Sequence, residues 1–116
     1  MSSPKNLKFD SREQVDEYYA DQILHSIEKA FDNFGFTVKL VVFHQLEKNY
    51  GIKREDIPLK MDVFATAVDN FFGVGALKVR AAIVHELRIS FGMAHLEKYD
   101  LLSAVKEAHR QLQRAV

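Results

Sequence analysis

From Ser11 onward the chain alternates apolar and polar residues with a helical period. Val15, Tyr19, Ile23, Ile27, Phe31 and Phe34 recur three or four residues apart, which places them in one stripe along a single helical face. Ser11, with Gln14 three residues later, has the pattern of a capping box at the start of that helix. Gly35 is placed to end it in the left-handed conformation, and Phe36 beyond it is expected to fold back onto Phe31. The stretch Val38 to Phe43 is apolar and rich in β-branched residues, so it also suits a buried strand. Because the stripe continues at Leu46 and Tyr50, and Gly51-Ile52 repeats the Gly35-Phe36 ending, the pattern predicts a second helix capped by Thr37.

Lys53 to Leu59 reads as a connector, since Pro58 pushes Ile57 out of the helical region. A third helix is expected from Met61 or Asp62 to Phe72, with Gly73 as its stop. Only Val74 and Gly75 separate it from a fourth, Ala76 to Phe91, whose apolar residues cover so much of its circumference that it should be central. Asp100 caps a fifth helix carrying Leu101, Leu102, Val105, Ala108 and Leu112. The expected fold class is therefore all-α: a compact single-domain bundle of about five helices with Gly-capped short turns. Residues 1–10 should be a flexible N-terminus and residues 11–116 the helical domain.

Length and composition narrow the function more than they define it. At 116 residues, two domains would each be too small to bury a stable core without disulfides or metals. The absence of cysteine removes disulfides, thiolate nucleophiles and thiolate metal sites, and it suits a reducing, cytoplasmic setting. The residues after Met1 lack the apolar stretch of a signal peptide, and the longest apolar run is Leu40 to Phe43, against the roughly 20 residues needed to cross a bilayer. Sixteen basic residues balance sixteen acidic ones, which argues against broad attraction to nucleic acid. The charge is uneven, with an acidic first helix and Lys106, Arg110 and Arg114 at the basic end of the last.

Several stretches together resemble a known family. They are Ala30-Phe31-Asp32-Asn33-Phe34-Gly35, then Leu46 through Tyr50-Gly51-Ile52-Lys53-Arg54-Glu55-Asp56-Ile57-Pro58, then Phe64 to Gly75-Ala76, and finally Asp100-Leu101-Leu102. In this order they resemble the Nitrosopumilus output domain, a small helical domain of archaeal proteins, over about three quarters of the chain. The resemblance implies a helical fold, an archaeal source and an output role in signal transduction; it implies no catalytic residues.

The sharpest catalytic candidate is Arg80 followed by His85, since arginine, four residues and histidine resembles the signature of helical ribonucleases of the HEPN type. In such a site His acts as general acid or base and Arg stabilises charge on a phosphate. Here Ala81 stands where those enzymes carry a polar residue. The five histidines show no pair at metal-binding helical spacing; His25 with Asp21 and Glu28, and His44 with Glu47, are the nearest to clusters. Gly73-Val74-Gly75 lacks the third glycine and the lysine of a phosphate loop. A nucleic-acid-binding helical domain, the third reading, would use Lys53, Arg54 and Lys60 around Pro58, and the zero net charge weakens it. No cofactor or metal is expected.

Nine Phe and four Tyr remain, more than catalysis requires. Tyr18 and Tyr19 are adjacent, as are Phe71 and Phe72, and neighbours on a helix cannot face the same way. These four are the candidate partner-binding residues of a non-enzymatic interaction or regulatory module, which binds a protein partner or a second copy of itself. A small RNA- or nucleotide-processing enzyme using Arg80 and His85 is the alternative.

Overall fold

The computed structural model describes residues 9–114. Five α-helices follow one another: α1 (Arg12–Asp32), α2 (Phe36–Tyr50), α3 (Met61–Phe72), α4 (Ala76–Phe91) and α5 (Leu101–Gln113). Short 3-10 segments lie between them at Arg54–Leu59, Gly73–Gly75 and Ala94–Lys98, and no strand occurs among the described residues. The run Leu40 to Phe43 is helical, because the period that continues through Leu46 and Tyr50 outweighs its local β-branched content. The fold is all-α and forms one bundle.

The helix starts follow side-chain chemistry at two places. The Ser11 hydroxyl accepts from the Gln14 N–H at 3.3 Å, and Gln14 Oε1 accepts from the Asp10 N–H at 2.7 Å, one residue earlier than in the usual capping box. Asp100 accepts from the Ser103 N–H at 2.9 Å, a contact that holds its carboxyl below the usual range. The expected loose N-terminus lies outside the described residues for positions 1–8; Phe9 packs its ring 5.6 Å from that of Tyr18. Residues 115 and 116 also lie outside the described part.

The helix endings divide into two kinds. Gly51 (φ 66°) and Gly92 (φ 67°) are left-handed caps, and the N–H groups of Ile52 and Met93 return to the Leu46 and Arg88 carbonyls at 3.2 and 3.1 Å. Both following residues are buried, as the motif requires. Gly35 departs from this expectation. α1 ends with Asn33 in a right-handed conformation, and Gly35 (φ 108°, ψ 148°) stands at the entrance of α2. α2 therefore starts at Phe36, and Thr37 lies inside its first turn rather than capping it. Phe36 does not fold back onto Phe31: it is 67% exposed, with the Lys39 ammonium 5.6 Å from its ring centre, because a first-turn residue at this corner projects outward. Phe34 is likewise left outside the core.

α4 packs against α1, α3 and α5, with α1 the most extensive partner, so the centrality expected of it is observed. Ile83, Leu87 and Phe91 of α4 are fully buried. α2 rests on α1 and α3 and buries only Val42 and Leu46. Two aromatic clusters organise the interior. Phe31 contacts Phe43, Phe64 and Phe72 at ring-centre distances of 6.1–6.5 Å, and Phe91 contacts Tyr18 and Tyr19, each at 6.2 Å.

One polar side chain is buried on α1. Ser26 is fully enclosed and its hydroxyl has no hydrogen-bond partner. Desolvating a hydroxyl without compensation is unfavourable, and alanine is the better helix former. Ser26→Ala should therefore raise stability by about 1 kcal/mol, read as a higher urea midpoint with unchanged slope. A loss of stability would show that the hydroxyl is satisfied in solution.

Candidate functional site

α2 carries apolar residues on nearly all sides, and only one side is covered. Residues three and four apart share a helical face, so burial of Val42 and Leu46 turns Thr37, Leu40, Val41, His44 and Lys48 outward. Leu40 and Val41 are each 52% exposed. Of nine exposed large apolar side chains among the described residues, Phe34, Phe36, Leu40 and Val41 fall within eight residues of chain. Single exposed apolar residues are ordinary on a protein surface, whereas contiguous ones mark interaction sites.

Beside this ridge a shallow groove of about 320 Å³ runs between α2 and α3. Val38, Val41, Val42, Phe71 and Phe72 line it, Thr37 and Gln45 add its polar atoms, and no charged side chain contributes. Phe71 and Phe72 do diverge as adjacent helical residues must. Phe71 sits against Tyr50 at 5.7 Å and Phe72 stacks on Phe31, yet both remain partly exposed in the groove.

Tyr18 and Tyr19 belong elsewhere. They straddle the Phe91 ring, and Tyr19 also lies 4.6 Å from the His109 ring. Burial pushes the Tyr19 phenol up to about 12, so it stays neutral. The four aromatics singled out in the sequence are thus not gathered on one face: Phe71 and Phe72 line the groove, while the two tyrosines pack against α4. The sequence reading missed Phe36, Leu40 and Val41. A signal was available, since four consecutive apolar residues wrap more than one side of any helix and cannot all be buried by one neighbour.

Arg80 and His85 are each committed to a carboxylate. Arg80 Nε and Nη2 donate to the two Asp69 oxygens at 2.9 and 2.7 Å, and Nη2 also donates to the Ala65 carbonyl at 3.3 Å, which ties α4 to α3. His85 Nδ1 lies 2.7 Å from Glu97 Oε1, which also accepts from Arg88. Together these contacts hold the Glu97 carboxyl below the usual range. A second groove, of about 520 Å³, contains Arg80, Glu97 and Tyr99 but not His85.

Two of the other histidines, His95 and His109, make similar contacts. His95 lies 3.3 Å from Glu107, and His109 lies 2.9 Å from Asp16, the one hydrogen-bonded contact of this kind between acidic α1 and basic α5 among the described residues. Gln111 and Arg110, with His95, hold the Glu107 carboxyl down to about 2. His25, Asp21 and Glu28 line a polar cleft, but Glu28 is paired with Arg54, and no group of three metal-ligating residues occurs among the described residues. Arg54 is thereby drawn from the basic group around Pro58. No family model, curated protein or solved structure matches the chain.

Proposed function

We propose that this protein is a non-enzymatic interaction module that works through the apolar face formed by α2 and the α2–α3 groove. One observation carries the reading: an outward ridge of Phe36, Leu40 and Val41 adjoins a groove with no charged lining, on a helix that buries only two of its own residues. Leaving such a surface in water is unfavourable at roughly 25 cal/mol per Å², and covering it supplies the driving force for association. The resemblance to the Nitrosopumilus output domain supports a signalling context, in which a helical module passes a state to a partner by docking. Lack of cysteine suits a cytoplasmic setting.

The test separates docking from folding. Leu40→Glu places a charge on the exposed ridge without entering the core, so the melting temperature should stay within about 2 °C of wild type. Immobilised wild-type protein should retain species from source-cell extract that the variant does not retain. Identical retention by the two proteins at equal stability would overturn the reading.

A further inference from the structure

We propose that the end of the bundle where α1 turns into α2 and α3 turns into α4 docks on the surface of an anionic lipid bilayer, with Phe36, Val74 and Leu77 as the inserting side chains and Lys29 and Lys78 as the charged flank. The inference goes beyond the docking reading of the α2 face, since two of its three apolar tips lie on the other corner.

The two corners share one end because Phe31, near the end of α1, stacks on Phe72, the last residue of α3, with ring centres 6.1 Å apart. Thr37 and Val38 at the start of α2 line the same groove as Phe71 and Phe72. Val74 stands fully exposed between Gly73 and Gly75, and Leu77 is 79% exposed, more even than Phe36. These tips come from separate turns and project singly. A rigid protein surface has to match each of them with its own pocket, whereas headgroups and acyl chains rearrange around them.

Charge selects the kind of lipid. Asp32 and Asp69, the carboxylates at the ends of α1 and α3, are paired with Lys39 and Arg80. Lys29 in the last turn of α1 and Lys78 in the first turn of α4 are exposed and make no ion pair among the described residues. Neither α2 nor α4 carries an acidic residue in its first turn. Two further carboxylates share a groove with Leu77, but Asp100 is engaged as the cap of α5 and Glu97 is held by Arg88 and His85. The unpaired charge beside the tips is therefore positive, which favours anionic headgroups. The contact is peripheral, because no helix among the described residues is long and apolar enough to cross a membrane.

Full-length protein should co-sediment with vesicles of phosphatidylcholine containing about 30% phosphatidylglycerol, and not with phosphatidylcholine alone. Val74→Glu and Leu77→Glu should each lower that partition about tenfold or more, and Lys29→Glu or Lys78→Glu about fivefold or more. The melting temperature should not change, because all four side chains are exposed. Added salt should weaken binding by wild type, since it screens the lysines. The chain has no cysteine, so Val74→Cys can carry a single polarity-sensitive fluorophore. Its emission should shift to the blue on the anionic vesicles, while the same label at Leu59→Cys, exposed beyond the opposite end of α3, should not respond.

Failure of wild type to bind the anionic vesicles, equal binding to the neutral ones, or a silent label at Val74→Cys would overturn the inference. Absent vesicle binding, loss by Val74→Glu of a protein retained from source-cell extract would overturn it in favour of a protein partner at these corners. None of these results removes the α2 reading, which falls only if Leu40→Glu retains the same species as wild type.

Discussion

Phe31→Ala is expected to lower stability by about 3–5 kcal/mol, the range for removing a fully buried aromatic side chain. Phe31 is fully buried near the end of α1, where its ring meets Phe43 from α2, Phe64 and Phe72 from α3, two of them edge-on and one stacked. Its removal deletes apolar burial, leaves a cavity that three helices cannot all close, and breaks three aromatic contacts at once. A domain of this size has only about 5–15 kcal/mol in hand, so the variant should be marginal at 37 °C. Phe36→Ala, five residues away, should change stability by less than about 0.5 kcal/mol, because its ring is mostly in water. Urea titrations followed by circular dichroism measure both. Equal losses at the two positions would mean that Phe36 packs in solution as Phe31 does.

That contrast shows where sequence patterning succeeds and where it stops. Val15, Ile23, Ile27 and Phe31 follow the period of a single helix, and a period is a property of the local chain, so their burial could be read directly. The caps at Ser11 and Asp100 were legible for the same reason: a short polar side chain three residues from a free N–H satisfies it regardless of the rest of the fold. Phe34 and Phe36 obey the same spacing rules but sit at a corner. Whether a corner residue is covered depends on the direction taken by the next helix, which no local pattern contains.

The candidate surface was half legible for a related reason. Adjacency of Phe71 and Phe72 correctly implied divergent side chains, and the groove confirms that both reach it. The same inference applied to Tyr18 and Tyr19 led elsewhere, because the Phe91 ring from α4 is placed between them and occupies both. The carboxylate contacts that engage Arg80, His85 and His109 span 11, 12 and 93 positions of sequence. Spacing along one helix could suggest Arg80 and His85 as a pair, but their true partners lie on other elements.

The corner before α2 provides the second large effect. Gly35→Ala is expected to cost about 1–3 kcal/mol, because φ 108° with ψ 148° lies outside even the left-handed helical region and is almost confined to glycine. Nothing lies within 4 Å of where a Cβ would be at Gly35, Gly51 or Gly75, so any cost there is backbone strain and not a clash. Gly51→Ala, with ordinary left-handed angles, should cost about 1 kcal/mol. At Gly75 the angles are φ −84° and ψ −5°, which alanine adopts freely, so Gly75→Ala should stabilise by about 0.4–1 kcal/mol through the unfolded chain. Urea midpoints for the three variants should therefore fall in the order Gly75→Ala above wild type, then Gly51→Ala, then Gly35→Ala. If Gly35→Ala were instead neutral, α1 would end in some other way and the direction of α2, on which the exposed ridge depends, would change with it.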